Sequence, residues 1–77
     1  MQPAELKNTF RRNLRARRTE LGLTQQTLAN RVDVPHTYIS DLERGRFSPS
    51  LATIATLAEA LDTTPSVLLS GAVVAVT

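Results

Sequence analysis

The stretch from Gln25 to Arg44, QQTLANRVDVPHTYISDLER, constrains the fold more tightly than any other part of the chain. Its apolar spacing describes two short helices joined by a tight turn. Counted from Gln25, the small residue Ala29 stands fifth and Asp33, able to turn the chain, stands ninth. The β-branched Ile39 stands fifteenth and Leu42 eighteenth. Ala29 must be small because the second helix of the pair crosses closely over the first there. Leu28, Val32, Val34, Ile39 and Leu42 supply the apolar seam between them. The opposite face of the second helix is left free.

The rest of the chain can be read around that pair. With 77 residues there is room for one small domain. No Cys is present to staple it, so stability has to come from packed helices or from self-association. A first helix is expected from about Ala4 to Leu21, with Leu6, Phe10, Leu14 and Leu21 on one face. Gly22 stops it, because glycine takes a left-handed conformation cheaply. Thr24 caps a second helix over Gln25 to Val32 through its hydroxyl. Asp33 carries the turn at a cost of ~1 kcal/mol relative to Gly. Pro35 opens a third helix, 35–44, without a side-chain cap, and Gly45 ends it. Ser50 caps a fourth helix running to about Leu61, with Leu51, Ile54, Leu57, Ala58 and Leu61 facing inward. Thr64-Pro65 starts a short fifth helix through Val67, Leu68 and Leu69. The expected architecture is all-α: a five-helix domain over residues 1–70, followed by a tail, 71–77. In that tail Val73, Val74 and Val76 either hang free or pair with a second subunit.

The net charge is only +2, yet it is unevenly spread. Residues 1–31 hold seven bases (Lys7, Arg11, Arg12, Arg15, Arg17, Arg18 and Arg31) against Glu5 and Glu20, while residues 32–77 are acidic on balance. A basic end beside a two-helix unit of this shape favours a polyanion, since phosphate contacts supply much of the affinity of DNA-binding proteins. No segment approaches the ~20 apolar residues needed to span a bilayer, and the N-terminus is polar rather than signal-like. The expectation is a soluble, cytoplasmic protein with no membrane partner. One His, no Cys, no carboxylates at metal spacing and no glycine-rich phosphate loop leave nothing from which to build an enzyme, a metal centre or a cofactor site. No small-molecule ligand is indicated.

The two-helix unit has the geometry of a helix-turn-helix, whose second helix enters a major groove. Ile39 and Leu42 face the core, which leaves His36, Thr37, Ser40 and Asp41 on the outward side. Thr37 can offer a methyl group or a hydroxyl, His36 can donate to a guanine acceptor, and Asp41 can accept from a cytosine amino group. Ser40 and Asp41 serve equally well as surface residues or as orienters of a neighbouring Arg. Tyr38 lies between the faces, with its ring on the domain and its hydroxyl toward a phosphate. Arg44 and Arg46 bracket Gly45 and either clamp the DNA backbone or stay in solvent, and the same choice holds for Arg11, Arg12 and Arg15. Phe47 packs on the fourth helix, touches sugars or meets another subunit.

The segment Thr24–Arg46 resembles the Xre family of phage repressors and Cro-like regulators. The resemblance extends to Leu21-Gly22-Leu23-Thr24-Gln25, to Ile39-Ser40-Asp41-Leu42-Glu43-Arg44-Gly45 and to Pro49-Ser50-Leu51. The chain departs from that family's pattern at Asp33, Pro35 and Phe47. The likeness implies a repressor-like fold and a transcriptional regulator binding double-stranded DNA, as a homodimer on a palindromic operator. It implies base reading at His36, Thr37, Ser40 and Asp41, a phosphate contact at Gln25, and a structural ion pair between Arg18 and Glu43. In size the chain is similar to stand-alone phage regulators and to the controllers of restriction-modification systems. An antitoxin with a toxin partner, or a protein-interaction adaptor retaining the fold, is the competing role.

Overall fold

In the computed structural model, which describes residues 3–71, five helices follow one another: α1 (Pro3–Glu20), α2 (Gln25–Arg31), α3 (His36–Glu43), α4 (Leu51–Ala60) and α5 (Pro65–Leu68). No strand occurs among these residues. Residues 72–77 of the tail lie outside them.

Four of the helices end in the same way, and the local sequence explains why. After α1, Gly22 takes a φ of 73°. Its N–H bonds to the Thr19 carbonyl, and the N–H of Leu23 reaches back to Arg18 O. This pair of bonds satisfies carbonyls that the helix would otherwise leave bare. Gly45, at φ 74°, repeats the arrangement after α3, with Arg46 N bonding to Asp41 O. The turn of the helix-turn-helix is the same motif with an aspartate in the left-handed position. Asp33 has φ 58°, and Val34 N bonds to Ala29 O at 3.0 Å. Asp62, at φ 56°, does the same after α4, bringing Thr63 N to Ala58 O. Asp tolerates this conformation better than most side chains. Helix starts are equally local. Thr24, Ser50 and Thr64 each accept the backbone N–H three residues on, whereas Pro35 gives no side-chain cap.

One core joins all five helices. Phe10 and Leu14 of α1 meet Leu28 and Ala29 of α2, Ile39 and Leu42 of α3, Ile54, Leu57 and Ala58 of α4, and then Leu61 and Leu68. Val32 and Val34 pack half-buried against it. Three apolar positions depart from the periodic expectation. Leu6 and Leu21 are 38% and 39% exposed, and Leu51, expected to face inward, is 83% exposed. Leu6 is in the first turn of α1, Leu21 lies just past its end, and Leu51 opens α4. With 18 residues, α1 is about 27 Å long and outruns α4, whose 10 residues span about 15 Å. The buried stripe on α1 continues from Phe10 and Leu14 to Arg18, four residues on, and Leu21 falls beyond the body. Leu51 forms the rim of an open groove with Leu6, Phe10, Pro49, Ile54 and Leu69.

Candidate nucleic-acid interface

The faces of α3 differ sharply. Ile39, Leu42 and Glu43 are buried, while His36 and Thr37 are exposed at the start of the helix. Ser40 and Asp41 are half-buried beside them. The apolar seam therefore holds α3 by one side and presents the other, beginning with its first turn.

Glu43 is the polar member of the inner face. Its carboxylate takes a two-pronged contact from Arg18, with Nε on Oε2 at 2.7 Å and Nη2 on Oε1 at 3.0 Å. The two residues are only 9% and 8% exposed. Arg18 Nη1 also donates to the Leu23 carbonyl at 2.8 Å, so the guanidinium ties the end of α1 to the end of α3. Burying these ions is tolerable because their hydrogen bonds are filled. No buried side-chain polar atom among the described residues lacks a partner.

The same carboxylate reaches further than the sequence suggests. Gln25, the first residue of α2, donates its amide nitrogen to Glu43 Oε1 at 3.1 Å and places its amide oxygen 3.0 Å from His36 Nε2. Arg18, Glu43, Gln25 and His36 thus form one chain of hydrogen bonds from the core to the exposed start of α3. Nothing in residue spacing indicates it, because its members come from three helices. Gln25 keeps its backbone N–H and its second amide proton free of these bonds.

Arg11 is half-buried across the end of α3. Its Nε donates to Asn8 Oδ1 at 3.0 Å and its Nη1 to the Glu43 carbonyl at 3.5 Å. Arg17 donates to the carbonyls of Leu61 and Asp62, Arg31 to that of Ala60, and Asn13 to those of Leu68 and Ser70. Much of the basic N-terminal half therefore satisfies helix ends. Arg12 and Arg15 are exposed, as are Arg44 and Arg46. Arg46 Nε lies 3.5 Å from Asp41 Oδ1, in an open ion pair.

Tyr38 turns its ring onto Phe47, with centroids 5.2 Å apart and planes at 56°. Its hydroxyl lies 3.3 Å from Thr53 Oγ1. Phe47 packs half-buried against the core, so the loop aromatic belongs to the fold. No group of three or more potential metal ligands occurs among the described residues. Among the described residues no helix is long and apolar enough to cross a membrane.

With this geometry in view, comparison with known proteins defines the class. The helix-turn-helix model HTH_3 matches residues 14–68. An uncharacterized HTH-type transcriptional regulator of Methanothermobacter thermautotrophicus is 52% identical over 48 residues, covering 62% of this chain and 70% of the relative. The immunity repressor protein of Bacillus phage phi105 is 40% identical over 53 residues, covering 69% of this chain but only 37% of the repressor. Among solved structures, the restriction-modification controller protein C.AhdI from Aeromonas hydrophila superposes with a TM-score of 0.76 at 40% identity. That match covers 80% of this chain and 94% of the controller. The chain belongs to the helix-turn-helix family of the Xre and Cro type, whose members are DNA-binding transcriptional regulators and not enzymes.

Proposed function

We propose that the protein is a cytoplasmic, sequence-specific transcriptional regulator that binds a palindromic operator as a homodimer, each subunit laying α3 in a major groove. The observation that carries this reading is the asymmetry of α3: Ile39, Leu42 and Glu43 anchor it while His36 and Thr37 stand exposed at its start. Thr37 and His36 are the principal base readers, and Ser40 and Asp41 complete the reading face. Arg44, Arg46, Arg15 and the start of α2 at Gln25 meet phosphates. Arg11 adds charge from above the end of α3. The Tyr38 hydroxyl shares a hydrogen bond with Thr53 Oγ1 in which either oxygen can be the donor, and it adds a further phosphate contact from the edge of α3.

The homodimer follows from reach. One recognition helix reads only a few base pairs, and two half-sites about 34 Å apart give a site long enough to be specific. The apolar rim at Leu6 and Leu51 supports a subunit contact. The likeness to a restriction-modification controller supports a DNA-binding regulator.

Selection of bound duplexes from a random pool at near-physiological salt tests the reading. A two-fold symmetric consensus is the expected result. Recovery of no consensus would sink it and favour a protein partner such as a toxin. Thr37→Ala should relax preference at one base pair, with a loss of about 1–3 kcal/mol at the preferred base. Arg44→Ala should weaken binding to all sequences alike.

A further inference from the structure

The hydrogen-bond chain that ends at His36 can be assigned donor by donor, because both its origin and its intermediate have fixed chemistry. A guanidinium only donates. The Glu43 carboxylate, holding Arg18 at 2.7 and 3.0 Å, only accepts. Gln25 must therefore turn its NH2 group to Glu43, and this leaves its carbonyl oxygen toward His36. A carbonyl oxygen only accepts, so His36 Nε2 must carry a hydrogen. A neutral imidazole has just one N–H. Its Nδ1 is then a bare lone pair, with no partner among the described residues.

We propose that this relay locks neutral His36 in the Nε2–H tautomer and so makes it a hydrogen-bond acceptor toward DNA. The proposal deepens the groove-reading function and rests on it. In the groove the residue then contacts the amino donor of its base pair, adenine N6 or cytosine N4, rather than the N7, O6 or O4 acceptors. This reverses the expectation drawn from residue type alone, in which His36 donates to guanine. Gln25 is accordingly a positioning residue for specificity: it touches no base in this role, yet it decides which kind of base its neighbour accepts. The buried Arg18–Glu43 pair sets the direction of the relay.

The chain contains one histidine, so its ring can be observed without assignment ambiguity. Long-range proton–nitrogen correlation spectra of the 15N-labelled protein, free of DNA in mildly alkaline buffer, read the tautomer directly. The expected result is a protonated Nε2 and bare Nδ1 in the native chain, with the Nδ1–H form growing in Gln25→Leu. A native Nδ1–H form, or a Gln25→Leu spectrum identical to the native one, overturns the lock. Duplex selection in the same buffer then compares native protein, His36→Ala and Gln25→Leu. At the position whose preference disappears in His36→Ala, removing the amino group from the base pair, with purine in place of adenine or 2-pyrimidinone in place of cytosine, should weaken native binding on the order of tenfold, while a 7-deaza purine there should not. His36→Ala should lose that sensitivity and Gln25→Leu should show less of it. Native binding that is indifferent to the missing amino group and sensitive to the 7-deaza replacement overturns the acceptor assignment. If no variant yields a consensus, the groove-reading function fails and the base preference with it, while the spectra still uphold or overturn the lock.

Discussion

Two ion pairs hang from α3, and they differ in nearly everything except their chemistry. Arg18–Glu43 is buried, two-pronged and linked by further hydrogen bonds to Leu23, in the turn after α1, and to Gln25 of α2. Arg46–Asp41 is open to solvent, has one contact at 3.5 Å, and joins the end of α3 to the residue just after Gly45. Removing water turns the first pair into part of the fold, because either charge alone would be stranded. Solvent screens the second and leaves it free to exchange its partner for a phosphate. Charge that is useful for binding is charge the fold does not already need.

The largest test of this contrast is Arg18→Ala, which should destabilise the domain by roughly 3–5 kcal/mol, because Glu43 is left buried and unpaired. A thermal melt with an unchanged midpoint would break the comparison at its stronger member. Next comes Gly45→Ala. A methyl group there would lie 2.9 Å from Arg11 Cδ, at a backbone φ of +74°. A loss of about 1–2 kcal/mol in chemical denaturation is expected from the left-handed backbone alone, and full retention of stability would show that the end of α3 can shift. Asp33→Gly should act in the opposite direction, gaining up to ~1 kcal/mol by relieving an L-residue of φ 58°. The smallest stability effect belongs to Arg46→Ala, expected within ~0.5 kcal/mol of the native chain. Its DNA affinity should nonetheless fall and its salt slope drop by about 1. A melt that moved more than the binding would erase the distinction between the two pairs.

The readable part of this molecule is its punctuation. Gly22, Asp33 and Gly45 were expected to end helices, Thr24, Ser50 and Thr64 to start them, and the elements lie within a residue or two of those bounds. These signals are local: a backbone N–H finds its cap three residues away whatever the rest of the chain does. Asp62 carries the same left-handed stop as Asp33, from the same kind of local signal. Leu51 shows a different limit. Periodicity gives the face of a helix, but not whether a neighbour extends far enough to cover its end.

The charges make that limit sharper. Counting seven bases before residue 32 suggested a surface for a polyanion, yet Arg17, Arg18, Arg11 and Arg31 spend donors on Glu43 or on carbonyls at helix ends. A sequence states how many donors exist and cannot state which acceptors lie within 3 Å. The candidate base readers stand at the exposed start of α3 because the seam on its other face is periodic and strong. How His36 presents itself depends on Gln25 and Glu43, which are distant in sequence.

The sequence by itself determined the class of fold, the position of the turn and the free face of the third helix, since these follow from short-range periodicity and capping. Only the tertiary structure decided which arginines are structural, which leucines are left bare, and which nitrogen of His36 holds its hydrogen. Those outcomes depend on distances between helices, and such distances exist only once the core has closed around Phe10, Leu14, Ile39 and Leu57.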